Sequence, residues 1–146
     1  MASTRRVIER LAFGLCVGGL VFGLAGPAAA QTATSVSLVL QDFSDCTNAN
    51  VKDNRGGAPG GTVNILRNAD GTTSLKIGMS AVPSTTYHFF LKCVRLLGDI
   101  KTDEDGVGEA SFALPAGAVG PVFAFDSYPE GAPAGNKFQS VQVHLP

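Results

Sequence analysis

Beyond Gln31, no segment repeats apolar residues at the 3.6-residue spacing of a helix. Short apolar runs recur instead roughly every ten residues, separated by Gly, Pro, Asn and Asp. With 13 of the chain's 18 Gly and 7 of its 8 Pro beyond Gln31, that region holds no uninterrupted stretch long enough for a stable helix. Period-two alternation is clearest over 72–80, where Leu75, Ile77 and Met79 alternate with Lys76, Gly78 and Ser80. Such a run buries one face and wets the other. The segment 86–95 is the most apolar. Tyr87, Phe89, Leu91 and Cys93 share one face and His88, Phe90 and Lys92 the other, which predicts a central strand with Cys93 pointing inward and His88 exposed beside Lys92. Further strands are predicted over 34–40 (Val36, Leu38 and Leu40 in phase), 62–67, 97–102, 107–114, 122–126 and 137–145. Asp70-Gly71 and Asp105-Gly106 mark tight turns, because Gly accepts positive φ without steric cost. Seven or eight strands in one domain, residues 31–146, predict an all-β, immunoglobulin-like Greek-key sandwich.

The first thirty residues follow other rules. Arg5, Arg6 and Arg10 precede an uncharged apolar stretch, 11–26, and Ala28 and Ala30 then place small residues ahead of Gln31. This is the three-part layout of a signal peptide cleaved after Ala30. The apolar stretch is shorter than the roughly 20 residues a membrane span needs. A secreted or periplasmic/cell-envelope protein with no stable membrane span after cleavage is therefore expected. The Arg5-Arg6 pair leaves open both the general secretory and the twin-arginine routes. Cys16 lies near the start of the apolar stretch, the wrong place for a lipoprotein, and departs with the leader. Two cysteines remain, Cys46 and Cys93, and an even pair in an exported chain predicts one disulfide. The ring they close is worth about 4 kcal/mol by chain entropy.

Composition excludes several functions. Eleven Lys+Arg against twelve Asp+Glu, with no basic stripe beyond the leader, argue against a nucleic-acid partner. Two histidines exclude a multi-histidine metal centre. Tyr87-His88-Phe89-Phe90 resembles a strand of the copper–zinc superoxide dismutase sandwich, but that chemistry needs more histidines than His88 and His144. The sequence 103–109 places Asp103, Asp105 and Glu109 like the opening of a calcium loop, whereas the fifth and twelfth positions, Val107 and Leu114, lack the oxygens such a loop requires. A hairpin turn is the plainer reading. The long polar segment 41–61 carries Asp42, Asp45, Asn48, Asn50 and Asp53. It reads as a crossover pinned by Cys46, or else as a ligand-binding loop. The glycines 56, 57, 60 and 61 lack the Lys and Ser/Thr of a phosphate loop. His88 and His144 are the candidate bases of a small hydrolase, but there is no GxSxG elbow. Phe90, extended by Tyr128 and Phe138, is a candidate exposed patch unless a second sheet covers it.

The stretch 61–145 resembles the extracytoplasmic domain of anti-sigma-K-type factors. The matching pieces are the Asp70-Gly71 hairpin, Pro83-Ser84-Thr85-Thr86-Tyr87 leading into an aromatic strand, the Asp105-Gly106 turn, and Val122 to Phe125 followed by Pro129-Glu130-Gly131-Ala132-Pro133. The resemblance implies a β-sandwich outside the membrane. It does not imply sigma-factor regulation, because no sigma-binding segment fits ahead of residue 11. The expected function is an exported non-catalytic binding or structural module of the cell envelope or extracellular space, with an envelope or extracellular protein or ligand as partner and no cofactor. The first alternative is a ligand-binding protein that uses the 41–61 loop, with or without calcium. The second is a hydrolase built on His88 or His144.

Overall fold

A computed structural model describes residues 31–53, 57–133 and 137–145. The expected signal peptide, residues 1–30, lies outside the described residues. Ten strands follow in order: β1 (Thr32–Leu40), β2 (Gly60–Arg67), β3 (Thr73–Ser80), β4 (Thr86–Leu91), β5 (Arg95–Lys101), β6 (Val107–Leu114), β7 (Val122–Phe123), β8 (Phe125–Tyr128), β9 (Phe138–Ser140) and β10 (Val143–His144). Among the described residues there is no helix. The architecture is all-β, as the period-two runs require, with more strands than the seven or eight predicted. The difference arises where single runs break. Ala124 separates β7 from β8, and Val141-Gln142 separates β9 from β10, so that β10 leaves β9's sheet to pair with β7.

Eight strands form one antiparallel sheet in the order β5-β4-β8-β9-β1-β2-β3-β6, and β10-β7 form a small second one. The large sheet curls until its ends meet. The turn after β5 leads into β6, and Thr102 bridges Gly108 across the junction. Gly108 is needed there, since a Cβ would sit 3.0 Å from both Ile100 Cγ2 and the Lys101 carbonyl oxygen. Beyond that bridge β5 and β6 form no ladder, and Phe112 lies against Gly98, stacked on Phe89 at 5.7 Å. The pairing of β4 with β5 slips between Phe89 and Phe90, leaving Leu97 as the extra residue of a bulge.

The core lies inside this curl. Val36, Leu38, Val63, Ile65, Leu75, Ile77, Met79, Tyr87, Phe89, Leu91, Ile100, Leu114, Phe123, Phe125, Phe138, Val143 and Leu145 form one buried cluster. The alternation places most of them correctly, but Leu40 is an exception. It is 45 % exposed, because β1 runs past the last residue paired with β2, Leu38, so that Leu40 keeps only its β9 partner, Phe138. Phe138, expected in a surface patch, is buried in the core, edge-on to Tyr87.

Candidate functional site

The strand predicted over 86–95 ends early. It stops at Leu91, and Lys92-Cys93-Val94 form the hairpin turn into β5, closed by Val94 N donating to Leu91 O at 3.0 Å. Cys93 therefore takes a left-handed φ of 59° and is exposed rather than inward. It still bonds Cys46, with Cα atoms 5.5 Å apart. Cys46 is also exposed, so the disulfide fastens the 41–53 segment to the β4–β5 turn from outside the core.

That segment crosses the outer face of the sheet. Phe90 pairs with Asp126, Asp126 with Gln139 and Gln139 with Val39, which makes one outward row across β4, β8, β9 and β1. The backbone of Phe43 spans the row by donating N–H to Gln139 Oε1 at 2.8 Å and accepting from Gln139 Nε2 at 2.9 Å. Asn48, fully buried, donates through Nδ2 to Ser140 O at 2.8 Å and Phe125 O at 3.2 Å. Gln41 and Lys52 exchange two hydrogen bonds across the segment. The crossover reading of 41–61 thus describes residues 41–53. Residues 54–56 lie outside the described residues.

The covered row holds a charge cluster that the alternation misplaced. Lys92, predicted on an exposed side with His88, is 7 % exposed. Its Nζ donates to Phe43 O at 2.6 Å and to Asn48 Oδ1 at 2.5 Å, and lies 3.6 Å from Asp126 Oδ1. Asp126 also accepts from Gln139 Nε2 at 3.2 Å. Burial pushes the Asp126 carboxyl above the usual carboxylate range. The Lys92 charge, hydrogen bonds from Asn48 and Gln139, and the Lys137 charge act against that. The cysteine pair was the available signal for this cluster, because joining residues 46 and 93 brings 48 and 92 together.

Beside the cluster the same face is open. Phe90 and Tyr128, both half-buried, stack at 4.8 Å. Val94 and Leu96 are 66 % and 50 % exposed. A shallow cavity of about 290 Å³ is lined by these four together with Lys92 and Asp126. Polar groups border it: Arg95 in its lining, His88, edge-on to Phe90 at 6.4 Å and 2.7 Å from Asp99, and Lys137, which lies over the Tyr128 ring at 5.2 Å and 3.4 Å from Asp42. A larger groove of about 660 Å³ crosses β1, β2, β3 and β6, but its outward side chains are mostly short, among them Ala33, Ser35, Ser74 and Ala113.

The remaining candidates stand apart. Asp103 Oδ1 accepts from the backbone amides of Asp105 and Val107, the hairpin role expected of it, and Gly106 takes φ 80°. Glu109 lies on β6 opposite Gly78. Among the described residues no group of three or more His, Cys, Asp or Glu side chains gathers as a metal site. His144 contacts Gln142 at 2.9 Å and lies on β10 opposite Val122, whereas His88 lies on β4 paired with Asp99 of β5. No protein-family model matches the chain, and it matches no curated protein.

Proposed function

We propose that the chain is an exported, non-catalytic β-sandwich of the immunoglobulin-like Greek-key kind that holds a protein partner on the open face of β5, β4 and β8. In this reading residues 1–30 are a cleaved signal peptide, and the domain works in the periplasm, the cell envelope or outside the cell. The resemblance to anti-sigma-K-type extracytoplasmic domains bears on fold and compartment only. Compatible with export, the cysteine pair lies at disulfide distance, and no helix among the described residues is long and apolar enough to cross a membrane. The observation that carries the reading is the patch of Val94, Leu96, Phe90 and Tyr128 with its charged rim. An apolar centre with aromatic anchors and a polar border is the anatomy of a partner site. The pinned segment and the disulfide hold that face rigid, so little ordering entropy is lost on binding.

A photo-cross-linking residue placed at Leu96 in producing cells tests this, with Lys76 on the other half of the sheet as control. Discrete adducts from position 96, none from 76, and their loss on Phe90→Asp support the reading. No adduct at 96, or the same adducts at both positions, refutes it.

A further inference from the structure

We propose that Lys92 and Asn48 become covalently joined, the Lys92 side-chain amine displacing ammonia from the Asn48 carboxamide to leave an amide cross-link between the β4–β5 turn and the 41–53 segment.

The geometry is that of reactants already assembled. Lys92 Nζ lies 2.5 Å from Asn48 Oδ1. The carboxamide carbon is one C=O bond further, so Nζ is no more than about 3.7 Å from it. Reacting atoms held near 3–3.5 Å are close to an attack conformer. The electrophile cannot turn away, because Asn48 Nδ2 is committed to Ser140 O and Phe125 O. Those bonds fix which side of the carboxamide faces the lysine. The nucleophile is fixed as well, by Phe43 O at 2.6 Å and by the backbone bond from Lys92 N to Ala124 O at 2.9 Å.

A proton acceptor stands beside them. Asp126 Oδ1 is 3.6 Å from Nζ and is held by Gln139. Its burial raises its affinity for a proton, which suits a carboxylate that must take one from an ammonium group and return it later. The steps balance without any further reagent. Asp126 takes a proton from Lys92 Nζ, and the freed lone pair attacks Asn48 Cγ. Oδ1 carries the negative charge of the tetrahedral intermediate. As the carbonyl re-forms, the Cγ–Nδ2 bond breaks, Nδ2 takes the proton held by Asp126 and leaves as ammonia, and the second proton of the attacking nitrogen passes through Asp126 to that ammonia. Overall, one ammonium side chain and one carboxamide give one secondary amide and one ammonium ion. Asn48 is fully buried and Lys92 nearly so, which keeps competing water from the intermediate.

The intact mass of the mature chain, reduced and alkylated so that the disulfide does not contribute, is the test. The expected mass is short by one ammonia. A tryptic digest then contains the Asn48 peptide joined to the Lys92 peptide, with no cleavage after Lys92. Lys92→Arg and Asp126→Asn each restore the full mass. A full mass in the wild-type chain overturns the proposal without recourse to any variant. So does an ammonia loss that maps to Asn48 alone, which would be cyclisation onto Ala49. A cross-link that persists in Asp126→Asn overturns the role given to that carboxyl.

Discussion

Replacing Cys46 and Cys93 together by Ser measures how much of this fold depends on one ring closure. The bridged residues are 47 apart in sequence. By chain entropy, opening such a ring costs about 4 kcal/mol, a large share of the roughly 5–15 kcal/mol that stabilises a domain. The Lys92–Asn48 cross-link changes that arithmetic, because it closes nearly the same ring one and two residues inside the disulfide. With it in place the disulfide closes only the small ring of Cys46, Thr47, Asn48, Lys92 and Cys93, worth about 2 kcal/mol. Urea unfolding of four proteins settles the matter: wild type, Cys46→Ser/Cys93→Ser, Lys92→Arg, and all three changes combined. The cysteine pair should cost about 2 kcal/mol in the wild-type background and about 4 in the Lys92→Arg background, since the cycle cancels any separate cost of the arginine. A cysteine-pair cost that agrees within about 0.5 kcal/mol in both backgrounds refutes the reasoning that the two bonds share one ring.

Gly106 takes φ 80°, and a Cβ there would lie 2.3 Å from the Ala81 carbonyl oxygen. Gly106→Ala should cost at least about 2 kcal/mol in urea unfolding, and an unchanged midpoint would contradict the turn geometry. Asp126, raised by burial, holds a proton in the folded state that the unfolded chain releases above about pH 4. Its contribution to stability is therefore present at acid pH and lost as pH rises through the raised folded value. Relative to Asp126→Asn, wild-type stability should fall as pH rises from about 4 through the raised folded value, and parallel profiles would show that the carboxyl is not perturbed. Ser127 buries a hydroxyl with no hydrogen-bond partner among the described residues. Ser127→Ala should raise stability by about 1 kcal/mol, and a loss of that size by thermal or urea unfolding would reveal a partner.

The strands were legible where alternation is driven by one core. Leu75, Ile77 and Met79, then Tyr87, Phe89 and Leu91, fall on the buried face as their period requires. The Asp-Gly turns were legible because positive φ selects Gly. The β4–β5 turn was not, since its left-handed residue is Cys93, a residue type that carries no turn signal and instead extends the apolar phase of the preceding strand. The ends of the chain were read as longer strands because alternation continues through Ala124 and Val141-Gln142, where the backbone changes partners. Within the candidate site, the Cys46–Cys93 pairing followed from counting. The burial of Lys92 did not, because period two assigns a residue to one side of a sheet and is silent about a distant segment laid over that side. Asp126 enters only through the register of Phe90 with β8, which no local pattern encodes.

Both Cys46 and Cys93 are exposed, while the groups they bring together are not. An oxidising partner can therefore reach the thiols after the sheet has formed, and the sulfur bond need not be made on a nascent, open chain. The domain can acquire its clamp last, as a latch closed on a finished frame.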